Sequence, residues 1–245
     1  MRRGRLCWRG VRRLSGAVAA GALLGSIVLS GAAGAQSKNL APGFSALRKG
    51  ASVVTMPTDI ELFSISGGGV LEPRADWTES AAKYFKAALV RKEKSLGLAT
   101  AELSERDADD MAEINSLHAA VARAISLHQF GASSMHLPTK EGRLDWSLGD
   151  AVRLIKDRTG ADYALFSWVR DSYASSERVA AIVMLAMVGV GVPGGTQIGY
   201  ASLVDLNDGR VLWFNQLVRG TGDLREPQKA AESLNALLEN FPATK

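Results

Sequence analysis

The sequence predicts a single α/β (α+β) sandwich, a mixed sheet with helices packed on its faces, and three observations carry that expectation. Residues 161–169 are nearly continuously apolar and rich in aromatics, as a strand covered on both faces has to be. Two strand-like runs, 200–206 and 210–218, flank Asn207-Asp208-Gly209, which suits a tight antiparallel turn. Helical stripes lie between the strand-like runs in irregular order and without an internal repeat, which points to one mixed domain rather than to an array.

Taken along the chain, residues 36–51 hold Pro, Gly and Ser without a sustained period and read as a flexible N-terminal segment, so the domain is expected over 52–245. Val53-Val54-Thr55-Met56 and Glu61-Leu62-Phe63-Ser64-Ile65 read as short strands, separated by Pro57 and ended by Gly67-Gly68-Gly69. Asp76 and Glu79 have the spacing of a capping box, and Trp77, Ala81, Tyr84 and Ala88 continue at helical spacing toward a stop at Gly97. A second helix is expected over 107–129, because Met111, Ile114, His118, Val121, Ile125 and His128 fall on one stripe. Leu148, Val152 and Ile155 mark a shorter helix closed by Gly160. The last helix spans about 226–240, with Ala230, Leu234, Leu237 and Phe241 turned inward.

Of the 245 residues, 47% are apolar and 22% charged, a composition that excludes a disordered tail or a low-complexity scaffold. The net charge of +4 suggests a nucleic-acid ligand only until the charges are located. Six of the 29 basic side chains (Arg2, Arg3, Arg5, Arg9, Arg12 and Arg13) lie in residues 1–35, which contain no acid. The remaining chain has 23 basic against 25 acidic side chains, a net of −2, and no nucleic-acid partner is expected. The arginines precede an apolar Gly/Ala-rich stretch at 14–29 and the small-x-small site Ala33-Gly34-Ala35, the pattern of a signal peptide over 1–35. About 16 apolar residues fall short of the roughly 20 that a spanning helix needs. The single cysteine, Cys7, lies within this leader, so the mature chain has no thiol, no disulfide and no cysteine to carry a lipid anchor. Such a chain suits the bacterial periplasm.

No catalytic, cofactor-binding or metal-binding set emerges. Gly189-x-Gly191-x-x-Gly194 matches the dinucleotide fingerprint in spacing, but the residues after it read as strand rather than as the helix whose N-terminus would meet a pyrophosphate, so the glycines read as a turn. His118 and His128 share a helix face but stand roughly 15 Å apart at about 1.5 Å per residue, too far to hold one ion. His136 has no acidic neighbour at ligand spacing, and HExxH and GxSxG patterns are lacking. Asp107, Asp109 and Asp110 open a helix, where negative charge is favourable in any case. No cofactor is expected.

The most unusual segment is 179–192, VAAIVMLAMVGVGV, which has no polar side chain between Arg178 and Pro193. It is too short to cross a bilayer as a simple helix and lacks the polar face of the other helices. Three readings stand open: a buried core element, a self-association surface, and insertion into a bilayer. The candidate interaction residues are Ile182, Leu185, Met187, Val190 and Val192. Asp205, Gly209 and Trp213 are expected to be structural, the first two in the hairpin turn and Trp213 as an anchor on its second strand.

The string Gly160-Ala161-Asp162-Tyr163-Ala164-Leu165, followed after an intervening segment by Ala201-Ser202-Leu203-Val204-Asp205-Leu206-Asn207-Asp208-Gly209-Arg210-Val211-Leu212-Trp213, carries a family resemblance. It resembles a pattern in bacterial periplasmic proteins related to the curli-secretion channel lipoprotein, the lipoprotein activators of penicillin-binding proteins and the N-terminal domain of TolB. The resemblance implies a three-layer α/β domain that binds other envelope proteins and does no chemistry, and it brings no catalytic residues to carry over. Members are mostly lipoproteins, and the lipid-bearing cysteine is missing here.

The expected function is therefore that of a non-enzymatic periplasmic accessory protein in envelope assembly or secretion. Its expected partners are envelope proteins, a second copy of itself, or the outer membrane. A subunit of an oligomeric outer-membrane secretion channel and a periplasmic enzyme of unknown reaction are the alternatives. Export with cleavage between Ala35 and Gln36 is the first testable consequence: N-terminal sequencing of the protein from its native cell should begin at Gln36, and an intact Met1 in the membrane fraction would refute it.

Overall fold

The computed structural model describes residues 37–101, 103–242 and 244. The expected leader and its cleavage point lie outside them. Among the described residues seven strands form one mixed sheet built on a long strand, β5 (Tyr163–Ala174). Two earlier strands, β1 (Ser52–Thr55) and β2 (Asp59–Ile65), pair in parallel with successive stretches of the same edge of β5, with Val53 opposite Tyr163 and Ile60 opposite Val169. The exposed β3 (Leu71–Pro73) runs antiparallel to β2, and β4 (Ala99–Ala101) runs parallel to β1. On the other edge, β6 (Gln197–Asp205) and β7 (Val211–Arg219) form the antiparallel hairpin expected around Asn207-Asp208-Gly209.

Helices cover both faces, so the domain has three layers. Alternate residues of β5 enter opposite cores: Tyr163, Leu165 and Val169 on one side, Ala164, Phe166 and Trp168 on the other. The first face is covered by α1 (Ala75–Leu96) and α6 (Pro227–Leu237), which contribute Ala81, Phe85, Ala88, Leu89, Ala230, Leu234 and Leu237. The second is covered by α3 (Ala112–Gln129) and α4 (Arg153–Thr159), through Ile114, Ala122, Ile125 and Ile155. His118 lies in that second core, stacked on Phe166 at 4.7 Å and hydrogen-bonded to Ser202 Oγ at 2.8 Å. Burial pushes its pKa down to about 3, so the ring is neutral and works as a packed polar link from α3 to β6.

Local differences from the expected elements have identifiable causes. The capping box at Asp76 and Glu79 is not made: the helix begins at Ala75, Asp76 is held by Arg74 at 2.9 Å, and Glu79 pairs with Lys83 at 2.8 Å. The helix expected over 107–129 is two helices, α2 (Glu105–Asp110) and α3, broken at Met111, where φ is −100° and ψ 8°. Ser104 caps α2 by accepting from Asp107 N, and Met111 is fully buried at the break. The strand expected to end at Val169 continues to Ala174 because both of its edges stay paired, and Arg170 is neutralised there by Asp59 and Glu61 at 2.7 and 3.2 Å. Gly97 and Gly160 close α1 and α4 in the left-handed conformation.

Residues 37–50 are irregular in secondary structure, yet they are pinned to β7. Ala41 N donates to the Leu212 carbonyl at 2.9 Å, and Phe214 N donates to the Asn39 carbonyl at 3.0 Å. Ala41 and Leu47 are buried in the first core. This arrangement shelters part of the edge of β7, which would otherwise present open backbone groups. The hairpin turn is closed by Asp205 Oδ1, which accepts from Asn207 N at 2.8 Å and from Asn207 Nδ2 at 2.7 Å. Gly209 is required there twice over: its φ is 73°, and a Cβ would come within 2.3 Å of the Gly149 carbonyl oxygen.

Trp213 is fully buried, edge-on to Phe241 at 5.2 Å, with no hydrogen-bond partner for its indole N–H among the described residues. Its contribution is therefore apolar packing. Trp213→Ala should cost about 3–5 kcal/mol, seen as a lowered denaturation midpoint, whereas Trp213→Phe should cost much less because the indole N–H it removes makes no bond. An unchanged midpoint for the alanine variant would contradict this role.

Candidate functional site

The connection from β5 to β6 leaves the sheet and forms α5 (Ser176–Met187). Ser175 starts the helix: its backbone N–H donates to the Ile65 carbonyl at 2.9 Å, and its Oγ accepts from Arg178 N at 3.2 Å. The turn at Gly67, Gly68 and Gly69 lies against the first turn of α5, and a Cβ on Gly67 would sit 3.5 Å from Glu177 Cβ. The helix unwinds at Val188, with Val190 N returning to the Leu185 carbonyl at 2.9 Å. The chain then rejoins the sheet where Ala174 N donates to the Gly194 carbonyl at 2.7 Å. The glycines of the 189–194 spacing thus belong to a loop leading into a strand. Gly195 passes so close to β5 that a Cβ would lie 2.0 Å from the Ser172 carbonyl oxygen.

The reading of 179–192 as core is overturned, since among the described residues none of α5 is buried. Met187 and Val188 are each 74% exposed, Met184 66%, Val190 46% and Leu185 39%, while Ile182 and Val192 are half-buried. A helix without a polar face is held only at its base and carries a charge-free apolar surface into solvent. Asp205 and Gly209 lie at the far end of β6 from α5, and Trp213 pairs with Leu203 near them, so the structure does not bring these three together with the α5 residues.

Beneath α5 lies a polar cluster that the sequence reading missed. Asp171, 3% exposed, accepts from Ser172 N at 2.9 Å, from Gln197 Nε2 at 2.6 Å and from the Tyr173 hydroxyl. Tyr173 Oη accepts from Leu224 N at 2.7 Å, and Gln197 Oε1 accepts from Arg219 Nε at 2.8 Å. Arg219 donates in turn to Ser233 Oγ on α6. The Arg225 guanidinium lies 3.9 Å from the Tyr173 ring centroid and 4.7 Å from that of Trp77, and its charge is balanced by Asp223 at 2.6 Å. A cavity of about 80 Å³ borders the cluster, lined by Gly194, Gly195, Gly220 and Gly222 among others. Every partner of Asp171 is a donor, and the cluster fastens β5, β6, β7 and α6 together. The only sequence signal for it was a polar run, Arg170-Asp171-Ser172-Tyr173, that resembles a strand end.

Among the described residues no group of three His, Cys, Asp or Glu side chains is placed to hold a metal ion, and no helix is long and apolar enough to cross a membrane.

No protein-family model matches the chain, and no curated protein matches it. Solved structures with a similar course include the PelC dodecamer from Paraburkholderia phytofirmans, 15% identical, with 81% of this chain and 93% of that chain covered and a TM-score of 0.36. Lipoprotein GNA1162 from Neisseria meningitidis is 15% identical over 69% of this chain and 81% of that one, with a TM-score of 0.30. The C-terminal domain of LpoB from Salmonella enterica is 14% identical over 73% and 87%, with a TM-score of 0.28.

Burial raises the Asp171 carboxyl above its ordinary value of 3.8, against the opposing effect of the donors from Tyr173, Gln197 and Ser172. The folded state therefore holds this proton more tightly than the unfolded chain. The stabilisation it brings is complete below the ordinary value and is lost as pH rises through the raised one. The stability of Asp171→Asn relative to the parent protein should accordingly increase from acid to neutral pH in urea titrations. A difference independent of pH would show that Asp171 titrates as it does in the unfolded chain.

Proposed function

We propose that this is a non-enzymatic accessory protein of the bacterial periplasm, engaged in envelope assembly or secretion through protein–protein contacts made by α5 and the loop after it. The observation that carries the proposal is the exposed, charge-free surface over 179–192, with Leu185, Met187 and Val190 outward and Ile182 and Val192 at its base. Contiguous exposed apolar surface on a folded domain is costly to keep in water and marks a place where another surface docks. The polar cluster around Asp171 supports this reading, because it holds the base of the helix rigid and so limits the ordering cost of binding. The leader pattern and the resemblance of the strings at 160–165 and 201–213 support export and an envelope role, with no lipid-bearing cysteine in the mature chain. Envelope proteins and a second copy are the partners, with contact to the outer membrane and none with nucleic acid.

The alternative, a subunit of an oligomeric outer-membrane secretion channel, draws on the same surface. It differs in requiring ring-shaped assemblies that depend on detergent. Leu185→Asp/Met187→Asp places two charges on the exposed face, so circular dichroism should remain that of the parent protein while light scattering shows loss of self-association, or a photo-crosslinker at the exposed position 184 loses its partner. A folded double variant with unchanged assembly and unchanged crosslinks would refute the contact surface. Assembly that appears only in detergent would favour the channel.

A further inference from the structure

On the face opposite α3 and α4, the helices α1 and α6 leave a groove of about 200 Å³ between them. It exists because the facing positions are small: Ala88 on α1 and Ala231 on α6 keep the two helices from filling the space, and Leu234 forms its floor. The polar lining is cationic. Arg91 and Lys92 come from the last turns of α1, and Asn235 faces them from α6. No acidic side chain lines the groove among the described residues. The nearest acid along α6, Glu232, is engaged by Lys229 at 3.0 Å, and Glu93 on α1 is engaged by Thr55.

Neither groove cation is engaged in an ion pair among the described residues. Twelve ion pairs are present among the described residues, and none uses Lys86, Arg91, Lys92 or Lys94, so the end of α1 concentrates positive charge although residues 36–245 carry a net charge of −2. Helix-end carbonyls do not neutralise it, since Gly97 N and Leu98 N occupy those of Lys94 and Glu93, and Ser95 Oγ donates to that of Lys92. The Asn235 amide makes no hydrogen bond among the described residues and is free to turn inward as a neutral donor.

We infer that this groove binds a phosphate monoester of a small carbon unit. The guanidinium fork of Arg91 suits two oxygens of a tetrahedral oxyanion, while Lys92 and the Asn235 amide supply donors for the third. Two cations match the charge of roughly −1.5 to −2 that a monoester carries near neutrality, which a single carboxylate would leave half unused. The size agrees: the groove is several times the roughly 30 Å³ of one water, yet below the approximately 300 Å³ at which sites for larger ligands begin. Ala88 and Leu234 offer an apolar floor to the carbon side of the ester. The same chemistry is presented by a soluble phosphate ester and by a phosphatidic acid headgroup.

The test is calorimetric titration of the purified protein with glycerol 3-phosphate and with inorganic phosphate, alongside co-sedimentation with phosphatidylcholine vesicles with or without phosphatidic acid. Binding of the soluble ester in the millimolar range or tighter is expected, weakened at least about tenfold by Arg91→Ala/Lys92→Ala, since each charge-assisted bond lost is worth on the order of a tenfold change. Asn235→Ala should weaken binding severalfold. Lys86→Ala/Lys94→Ala removes equal charge from outside the groove and should change binding by less than about threefold, because exposed charges at a distance are screened by salt. Sedimentation only with phosphatidic acid, abolished by Arg91→Ala/Lys92→Ala, would assign the site to a lipid headgroup. Binding of neither source, or equal losses in the two double variants, would overturn the inference.

Discussion

The rest of the structure depends on β5 being paired along both edges and covered on both faces. Twelve residues long, it accepts β1 and β2 one after the other on one edge and β6 on the other, so a single strand sets the register of the hairpin and of both parallel strands. Its alternating side chains seed two separate cores, and helices are needed on each face because neither set of apolar residues would otherwise be removed from water. The sheet's outer strands are then handled individually. β3 is short and ends in Pro73, part of β7 is covered by the residues around Asn39 and Ala41, and β4 has only three residues.

The polar end of β5 follows from the same constraint. At this end of the strand the Asp171 side chain is still removed from water, and a carboxylate there must collect donors. Asp171 does so from Ser172, Tyr173 and Gln197, and through them reaches β6, β7, α6 and the chain around Leu224. One buried charge with several neutral donors is tolerable where an unpaired one would not be, and the raised carboxyl value is the residue of the burial cost that the donors do not offset. The consequence for α5 is mechanical: both of its connections to the sheet, at Ala174 and at Gly194, lie beside this cluster.

Much of the fold was legible in the sequence because its signals are local. The hairpin followed from Asn207-Asp208-Gly209, the helix ends at Gly97 and Gly160 from the left-handed turn that glycine permits, and the doubly covered strand from the apolar run at 161–169. What escaped depended on partners distant in the chain. Arg74 is an exception, since it lies two residues before the Asp76 it claims, but nothing near Met111 shows that burial there will break a regular stripe. The segment at 37–50 reads as flexible by composition, and it is held by bonds to residues distant in the chain, among them Leu212, Phe214 and Asp162, and by the burial of Ala41 and Leu47. The proposed contact surface was half legible: its residues stood out as a charge-free run, but apolar character alone does not separate core from surface, and the structure places them outside both cores.

That last point has a wider reach. Both faces of the sheet are filled before the chain arrives at residue 176: α1 lies on one and α3 on the other, with only the place of α6 left open. The place left open is taken by α6 through Ala230, Leu234 and Leu237, and the apolar helix inserted between β5 and β6 is left outside both cores. Folding the rest of the chain forces α5 outward, and its exposure is a consequence of topology. The proposed docking surface is thus separable from the fold: substitutions on the outward face of α5 touch neither core. The helix is free to be matched to a partner without altering the domain that presents it.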